Sequence, residues 1–230
     1  MKIPDVIIEP AATIVLLKDT PQGLKILMQQ RNPQAVFVGG AWVFPGGKLD
    51  PHDRDEAWLN RCDLDEASAN RVLGATEYGH AYWIAAIREL VEEAGILLAQ
   101  GADCILAQKA QQFLQQQPSG FIQFCLEHDL QLNTGSLKYL SHWITPPGNP
   151  KRYDTRFFLC RWPEGQEPCQ DDHEAINTGW VTPAEALARY EAGDWQMVLP
   201  TIYTLRQLSQ YQGVDEVLHH EGQAAQIKNR

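Results

Sequence analysis

Residues 81–95, AYWIAAIRELVEEAG, constrain this 230-residue chain more than any other segment. On a helical wheel of about 100° per residue, Trp83, Ile84, Ala86, Ile87, Leu90, Val91 and Ala94 share one arc. Arg88, Glu89, Glu92 and Glu93 share the opposite arc, and Gly95 closes the helix in the left-handed conformation that suits a C-terminal cap. One face therefore belongs in a core, while the other carries three carboxylates at i, i+3 and i+4 with an arginine beside them. A charged helix face is ordinarily a solvated one. Three glutamates this close repel one another, however, and clustered carboxylates are what a hard divalent ion requires. Mg²⁺ takes about six oxygen ligands, drawn from a few carboxylates, waters and substrate phosphates. In such a site Arg88 would hydrogen-bond a neighbouring carboxylate and fix its rotamer.

Around this helix the chain alternates in character. Residues 11–17 (AATIVLL) and 24–28 (LKILM) flank the turn KDTPQG and predict a hairpin. Residues 42–44 form a short strand stopped by Pro45-Gly46-Gly47. Residues 51–79 are polar and acidic, with irregular helical periodicity. Residues 102–142 read as helical, with a break at Pro118-Ser119-Gly120. Strands return at 156–162 and 180–181. Thr182-Pro183-Ala184-Glu185 then has the marks of a capping box. A last helix is expected over 200–211, and residues 214–230 are left as a tail. This order predicts α/β layering with helical insertions, in a single domain over 1–213.

The balance of 19 Lys+Arg against 29 Asp+Glu gives a formal charge of −10, which argues against a nucleic-acid partner. An anionic substrate would need local cations, because the field of the whole chain repels it. Arg31, Lys48 and Arg152, near strand ends or loops, are the candidates for substrate binding; Lys151 and Arg156 are further cations there. The five cysteines are scattered without C-x-x-C spacing, so neither a zinc cage nor a disulfide framework is expected. The opening MKIPDVIIEP lacks the marks of a signal peptide, and no apolar run reaches membrane-spanning length. A cytoplasmic protein with no membrane partner is the expectation.

Residues 47–96 resemble the Nudix box, G-x5-E-x7-R-E-U-x-E-E-x-G-U, where U is apolar. The second half fits without a gap, from Arg88-Glu89 through Glu92-Glu93 to Gly95-Ile96, and the first is recognisable in Phe44-Pro45-Gly46-Gly47-Lys48-Leu49-Asp50. The position after G-x5 is Asp53, a shorter carboxylate than the usual Glu. Residues 54–80 form an insertion between it and Arg88. Counting back from Arg88 at the box's own spacing lands on His80, so the usual first Glu is missing in either register. A split box of this kind resembles the peroxisomal coenzyme A diphosphatase branch and its bacterial relatives. Residues 85–89 running into 95–98, 142–146 and 151–159 support that branch.

The resemblance implies an α/β/α sandwich around a mixed β-sheet, with helical insertions at 54–80 and 102–142 that would shape the substrate pocket. It implies Mg²⁺ or Mn²⁺ as cofactor, with Glu89 and Glu93 as principal metal ligands and Glu92 as an additional one. Arg88 matches the arginine that orients the catalytic glutamate, and Gly46 or Gly47 would offer a carbonyl to the metal. Glu174, ahead of the strand at Trp180, is the candidate for a further acid serving as base or ligand. The activity implied is hydrolysis of the diphosphate of coenzyme A or acyl-coenzyme A, giving 3′-phospho-AMP and (acyl-)phosphopantetheine. Two alternatives stay open: a pyrophosphatase for ADP-ribose, dinucleotides or nucleotide sugars, and a binding module that does not hydrolyse its nucleotide. A homodimer is the default oligomer.

Overall fold

A computed structural model describes residues 6–35, 38–169 and 175–228. Its frame is a seven-stranded mixed sheet of β1 (Ile8–Thr20), β2 (Gly23–Arg31), β3 (Trp42–Val43), β4 (Gly46–Lys48), β5 (Lys138–Ile144), β6 (Arg152–Arg161) and β7 (Ala175–Val181). The strands run in the order β3-β2-β1-β6-β5, with β4 also pairing β1 and β7 pairing β2. β1 and β6 are parallel; the other pairings are antiparallel.

Strand alternation divides β1 between two cores. Ala12, Ile14 and Leu16 pack with Phe158 of β6 against Ile84, Ile87, Leu90 and Val91 of α2 (His80–Ala94). Val15 and Leu17 pack on the opposite face with Phe157 and Leu159, against Leu205 and Leu208 of α6 (Leu199–Leu208). This is the expected α/β/α sandwich. α5 (Pro183–Glu191) begins at the anticipated capping box, Thr182 and Glu185 each satisfying the other's backbone N–H. Among the described residues no helix is long and apolar enough to cross a membrane.

The long β1 shares one edge between two partners. Leu17–Thr20 pair with β2, while Ala11–Thr13 pair with β4. β2 and β4 therefore separate beside β1, and that split sets the position of the site below.

Several boundaries differ from the sequence reading. β3 ends ahead of Pro45 as expected, but Gly46 and Gly47 do not stay outside the sheet; with Lys48 they form β4. Residues 138–142, expected as part of the helical block, belong to β5, whose KYLSHWI carries the aromatic and apolar alternation that a strand requires. The helical block is α3 (Cys104–Gln116) and α4 (Phe121–Glu127). The segment from 214, expected as a tail, is α7 (Val214–Lys228), anchored by the buried Val214 and Val217. Cys125 and Cys160 are buried thiols, whereas Cys104 and Cys169 are exposed; all five cysteines are free.

The insertion within the box forms a 3₁₀ turn (Glu56–Asn60) and α1 (Glu66–Leu73). It is packed. Trp58 is 1% exposed, donates its indole N–H to the His52 carbonyl at 2.9 Å, and lies against Phe121 of α4. Arg61 donates to the Leu130 carbonyl at 3.1 Å. The insertion and the helical block thus form a layer of their own behind α2.

Candidate active site

The charged face of α2 is not solvated. Arg88, Glu89 and Glu93 are 6%, 7% and 2% exposed. All five N–H donors of the Arg88 guanidinium are engaged. Nε and one terminal nitrogen make a parallel pair of 3.0 Å bonds to the two Asp53 carboxylate oxygens. That same terminal nitrogen reaches the Lys48 carbonyl at 2.8 Å. The other reaches Glu89 at 2.8 Å and Glu92 at 3.1 Å. Burial works against the guanidinium charge, but Glu89 and Asp53 outweigh it and hold Arg88 firmly protonated.

Asp53 is thus the carboxylate that anchors Arg88, despite its short side chain and the insertion that follows it. It is 1% exposed and also accepts the Asp50 backbone N–H at 2.8 Å. Burial pushes its carboxyl up, and Arg88 pulls it back. The turn Pro51–Arg54 closes on itself through a reciprocal cap between Asp50 and Asp53, so Asp53 faces Arg88 whatever the length of chain beyond. His80, the other residue in register with the missing Glu, starts α2 and takes no part in this cluster.

Glu93 bridges the split between β2 and β4. One of its carboxylate oxygens accepts the side-chain amide of Gln29 on β2 and the backbone N–H of Gly46 on β4, the latter at 2.8 Å. Gln29 is 1% exposed, and its own amide oxygen has no hydrogen-bond partner among the described residues. The sequence reading missed this residue; the signal was a glutamine at an inward position in the apolar run ILMQQR. Gly47 lies against Glu89: a Cβ there would stand 2.6 Å from the Glu89 carboxylate.

A cavity of about 1330 Å³ opens at this cluster, lined by Gly46, Gly47, Lys48, Arg88, Glu89 and Glu92 at one end. Such a volume exceeds the roughly 300–1,000 Å³ of ordinary small-molecule pockets. Neither residues 54–80 nor 102–142 contribute to its wall, so the insertions do not shape it as expected; β5, β6 and the chain entering α6 do. Arg31 lines the cavity, and its Nε is buried without a hydrogen-bond partner among the described residues. Lys48 lines it as well but pairs with Glu9 at 2.6 Å. Arg152 does not line it. Its Nε donates to the Thr145 carbonyl at 2.9 Å, bracing the β5–β6 turn, and its neighbour Lys151 faces the cavity instead. Glu174 lies outside the described residues. Trp143 and Tyr153 also line the cavity, while Trp42 stacks on Trp195 with ring centroids 3.8 Å apart.

Among the described residues, no three His, Cys, Asp or Glu side chains converge as they would on a metal ion. Arg88, Gln29 and Gly46 hold the glutamates where they stand. The donor set nonetheless suits a hard cation, since Glu89, Glu92 and Glu93 offer carboxylate oxygen beside the carbonyls of β4. The missing side chain of Gly47 leaves the room that the Glu89 carboxylate occupies.

A split sheet bridged by a helical glutamate, with an arginine gathering the carboxylates beside it, defines a Nudix-type domain. The sequence profile of the NUDT19 Nudix domain matches residues 66–208, more than half of the chain, and the chain belongs to that family. It is 27% identical over 251 aligned residues to the acyl-coenzyme A diphosphatase NUDT19 of Xenopus laevis, an alignment covering 91% of this chain and 66% of the relative. It is 28% identical to the Homo sapiens protein of the same name, over 85% of this chain and 63% of that one. The chain thus spans just under two thirds of the length of these curated relatives. Among solved structures, a Nudix hydrolase from Alicyclobacillus acidocaldarius superposes with a TM-score of 0.79 at 26% identity, covering 94% of this chain and 97% of that one.

Proposed function

We propose that this chain hydrolyses the diphosphate of coenzyme A or its acyl derivatives, giving 3′-phospho-AMP and (acyl-)phosphopantetheine. The observation that carries this reading is the set of carboxylates gathered by Arg88 at one end of a cavity large enough for a dinucleotide-sized ligand. The names of the relatives, acyl-coenzyme A diphosphatases, support the choice of substrate.

Glu89, Glu92 and Glu93 would hold Mg²⁺ or Mn²⁺, which when bound neutralises diphosphate charge and makes a coordinated water more acidic. Arg88 keeps the Glu89 and Glu92 carboxylates in fixed rotamers, so they need little reorganisation when the substrate arrives. Glu89, at the cavity wall, takes the proton of the attacking water. Arg31 and Lys151 supply the local positive charge that an anionic substrate needs in a chain of net charge −10. Water attacks one phosphorus, the bridging oxygen leaves with the other phosphate, and the products separate as two anions.

Purified protein with Mg²⁺ or Mn²⁺ would be offered coenzyme A, acyl-coenzyme A, ADP-ribose, NADH and diadenosine polyphosphates. Release of 3′-phospho-AMP at the highest catalytic efficiency is the expected result. Preferential release of AMP from ADP-ribose or NADH would keep the site and overturn the substrate. Inactivity on every compound would overturn the hydrolytic reading.

A further inference from the structure

β2 changes neighbours midway along its length. One edge pairs with β1 as far as Ile26 and with β3 at Gln29 and Gln30, while β7 follows the other edge from Ile26 to Arg31. Gln29 is therefore held on both sides, with Val43 opposite it on β3 and Thr178 opposite it on β7. Its side chain points the same way as that of Leu27, which packs in the core beneath α2. An apolar side chain at 29 would continue that core. The amide instead donates to Glu93, and its oxygen has no hydrogen-bond partner among the described residues. A buried acceptor left unsatisfied counts against stability, so the N–H given to Glu93 is what this glutamine contributes.

That bond falls on the same carboxylate oxygen that accepts the Gly46 N–H. A carboxylate offers about four lone-pair sites over its two oxygens. Two donors on one oxygen occupy the sites of that oxygen, so Glu93 presents an ion with at most the other. We propose that Gln29 restricts Glu93 to coordination through one oxygen and thereby sets which cation the site prefers. The inference rests on the assignment of Glu89, Glu92 and Glu93 to a divalent ion. Mg²⁺ is small and demands near-ideal octahedral geometry, which the narrow bite of a chelating carboxylate does not fit. Ca²⁺ takes more ligands in looser geometry and accepts both oxygens of one carboxylate. A Glu93 released from Gln29 can turn about its last bond and chelate, which favours the larger ion. Gln29 is 1% exposed and acts through Glu93, so it is a positioning residue.

The test titrates metal-depleted wild type, Gln29→Met and Gln29→Leu with Mg²⁺ and with Ca²⁺ by calorimetry, in the absence of substrate. Methionine keeps the length of the side chain and leucine fills the space with a different shape, so the pair does not depend on one variant folding; circular dichroism checks both. The expected result is a ratio of Ca²⁺ to Mg²⁺ dissociation constants that falls about tenfold in each variant, chiefly through weaker Mg²⁺ binding. In a second arm, Ca²⁺ should inhibit Mg²⁺-supported hydrolysis of coenzyme A at about tenfold lower concentration in the variants. Affinities for the two ions that weaken by the same factor, leaving the ratio within about twofold of wild type, would make Gln29 a general support of the fold and overturn the proposal. Unchanged affinities overturn it as well. A wild-type chain that binds neither ion overturns both the metal assignment and this inference. One that binds Mg²⁺ with the expected selectivity but hydrolyses no coenzyme A compound overturns the diphosphatase reading alone.

Discussion

Asp53 and Arg88 are joined by two parallel N–H···O bonds of 3.0 Å, although 35 positions of sequence separate them. Both are buried, and Arg88 is the group through which Glu89 and Glu92 are held. Removing Asp53 leaves an arginine without its bidentate partner. We expect Asp53→Ala to destabilise the fold by about 3 kcal/mol, the usual result of breaking a buried pair. It should also lower kcat by at least about tenfold through loss of carboxylate order. Asp53→Glu restores the charge but adds a methylene at a filled position, which costs about 1–3 kcal/mol. Urea denaturation and steady-state kinetics on the three proteins check both statements. Wild-type behaviour in Asp53→Ala would remove Asp53 from the site.

The carboxylate-bearing half of the site was legible because a helix repeats every few residues. One contiguous segment fixed which side chains share a face, and Arg88, Glu89, Glu92 and Glu93 stand where the wheel puts them. What the wheel could not tell was whether that face meets solvent, since burial here comes from β4 and the turn Pro51–Arg54 folding over it. Gln29 and the role of Asp53 were illegible for a related reason. Each acts through a contact across more than thirty positions, which depends on how β1 divides its edge and not on any local pattern. The strand β5 was lost inside a helical block because the helices that precede it in the sequence, α3 and α4, set the apparent periodicity.

Gly46 and Gly47 are adjacent, yet alanine should act differently at each. A Cβ at Gly46 would lie 2.4 Å from the Ala12 carbonyl and 2.7 Å from the Thr13 Cα, both backbone atoms that cannot yield without parting β4 from β1. The nearest atoms a Cβ at Gly47 would meet belong to the Glu89 carboxylate, at 2.6 Å, the far end of a side chain that can shift where backbone cannot. Gly46→Ala is therefore expected to lose about 2–4 kcal/mol of stability. Gly47→Ala is expected to remain within about 1 kcal/mol of wild type while losing activity by at least about tenfold. Thermal melts alongside kinetics separate the two, and a Gly47→Ala enzyme of full activity would show that the position of Glu89 is immaterial.

Glu93 receives hydrogen bonds from Gln29 and Gly46 on one oxygen, and we assign it to the metal. Glu93→Gln keeps the shape and removes the charge. Turnover should fall by about 10²-fold or more, and the Mg²⁺ concentration giving half-maximal rate should rise. The amide oxygen introduced by this substitution can still accept the Gly46 N–H, so the circular dichroism spectrum is expected to match wild type. A fully active Glu93→Gln enzyme would sink the metal assignment.

His80 opens α2 at 4% exposure, and neither ring nitrogen has a hydrogen-bond partner among the described residues. Glu66 stands 3.8 Å from Nδ1, an ion pair only if the imidazole is charged. Burial lowers the imidazole pKa below its ordinary 6.5, and Glu66 offsets part of that. Between the folded and unfolded values the unfolded chain therefore binds a proton that the folded chain does not. The stability His80 permits is complete above about pH 6.5 and is lost as pH falls through the folded-state value, by at most about 1.4 kcal/mol per pH unit. His80→Leu fills a similar volume without a titrating group or an unpaired N–H, so at pH 7.5 its stability should lie within about 1 kcal/mol of wild type. Urea unfolding at about pH 5.0 and 7.5 is expected to show a smaller loss between the two values in His80→Leu than in wild type. Equal losses in the two proteins would mean that the imidazole is already accommodated in its charged form, with Glu66 close enough to hold it.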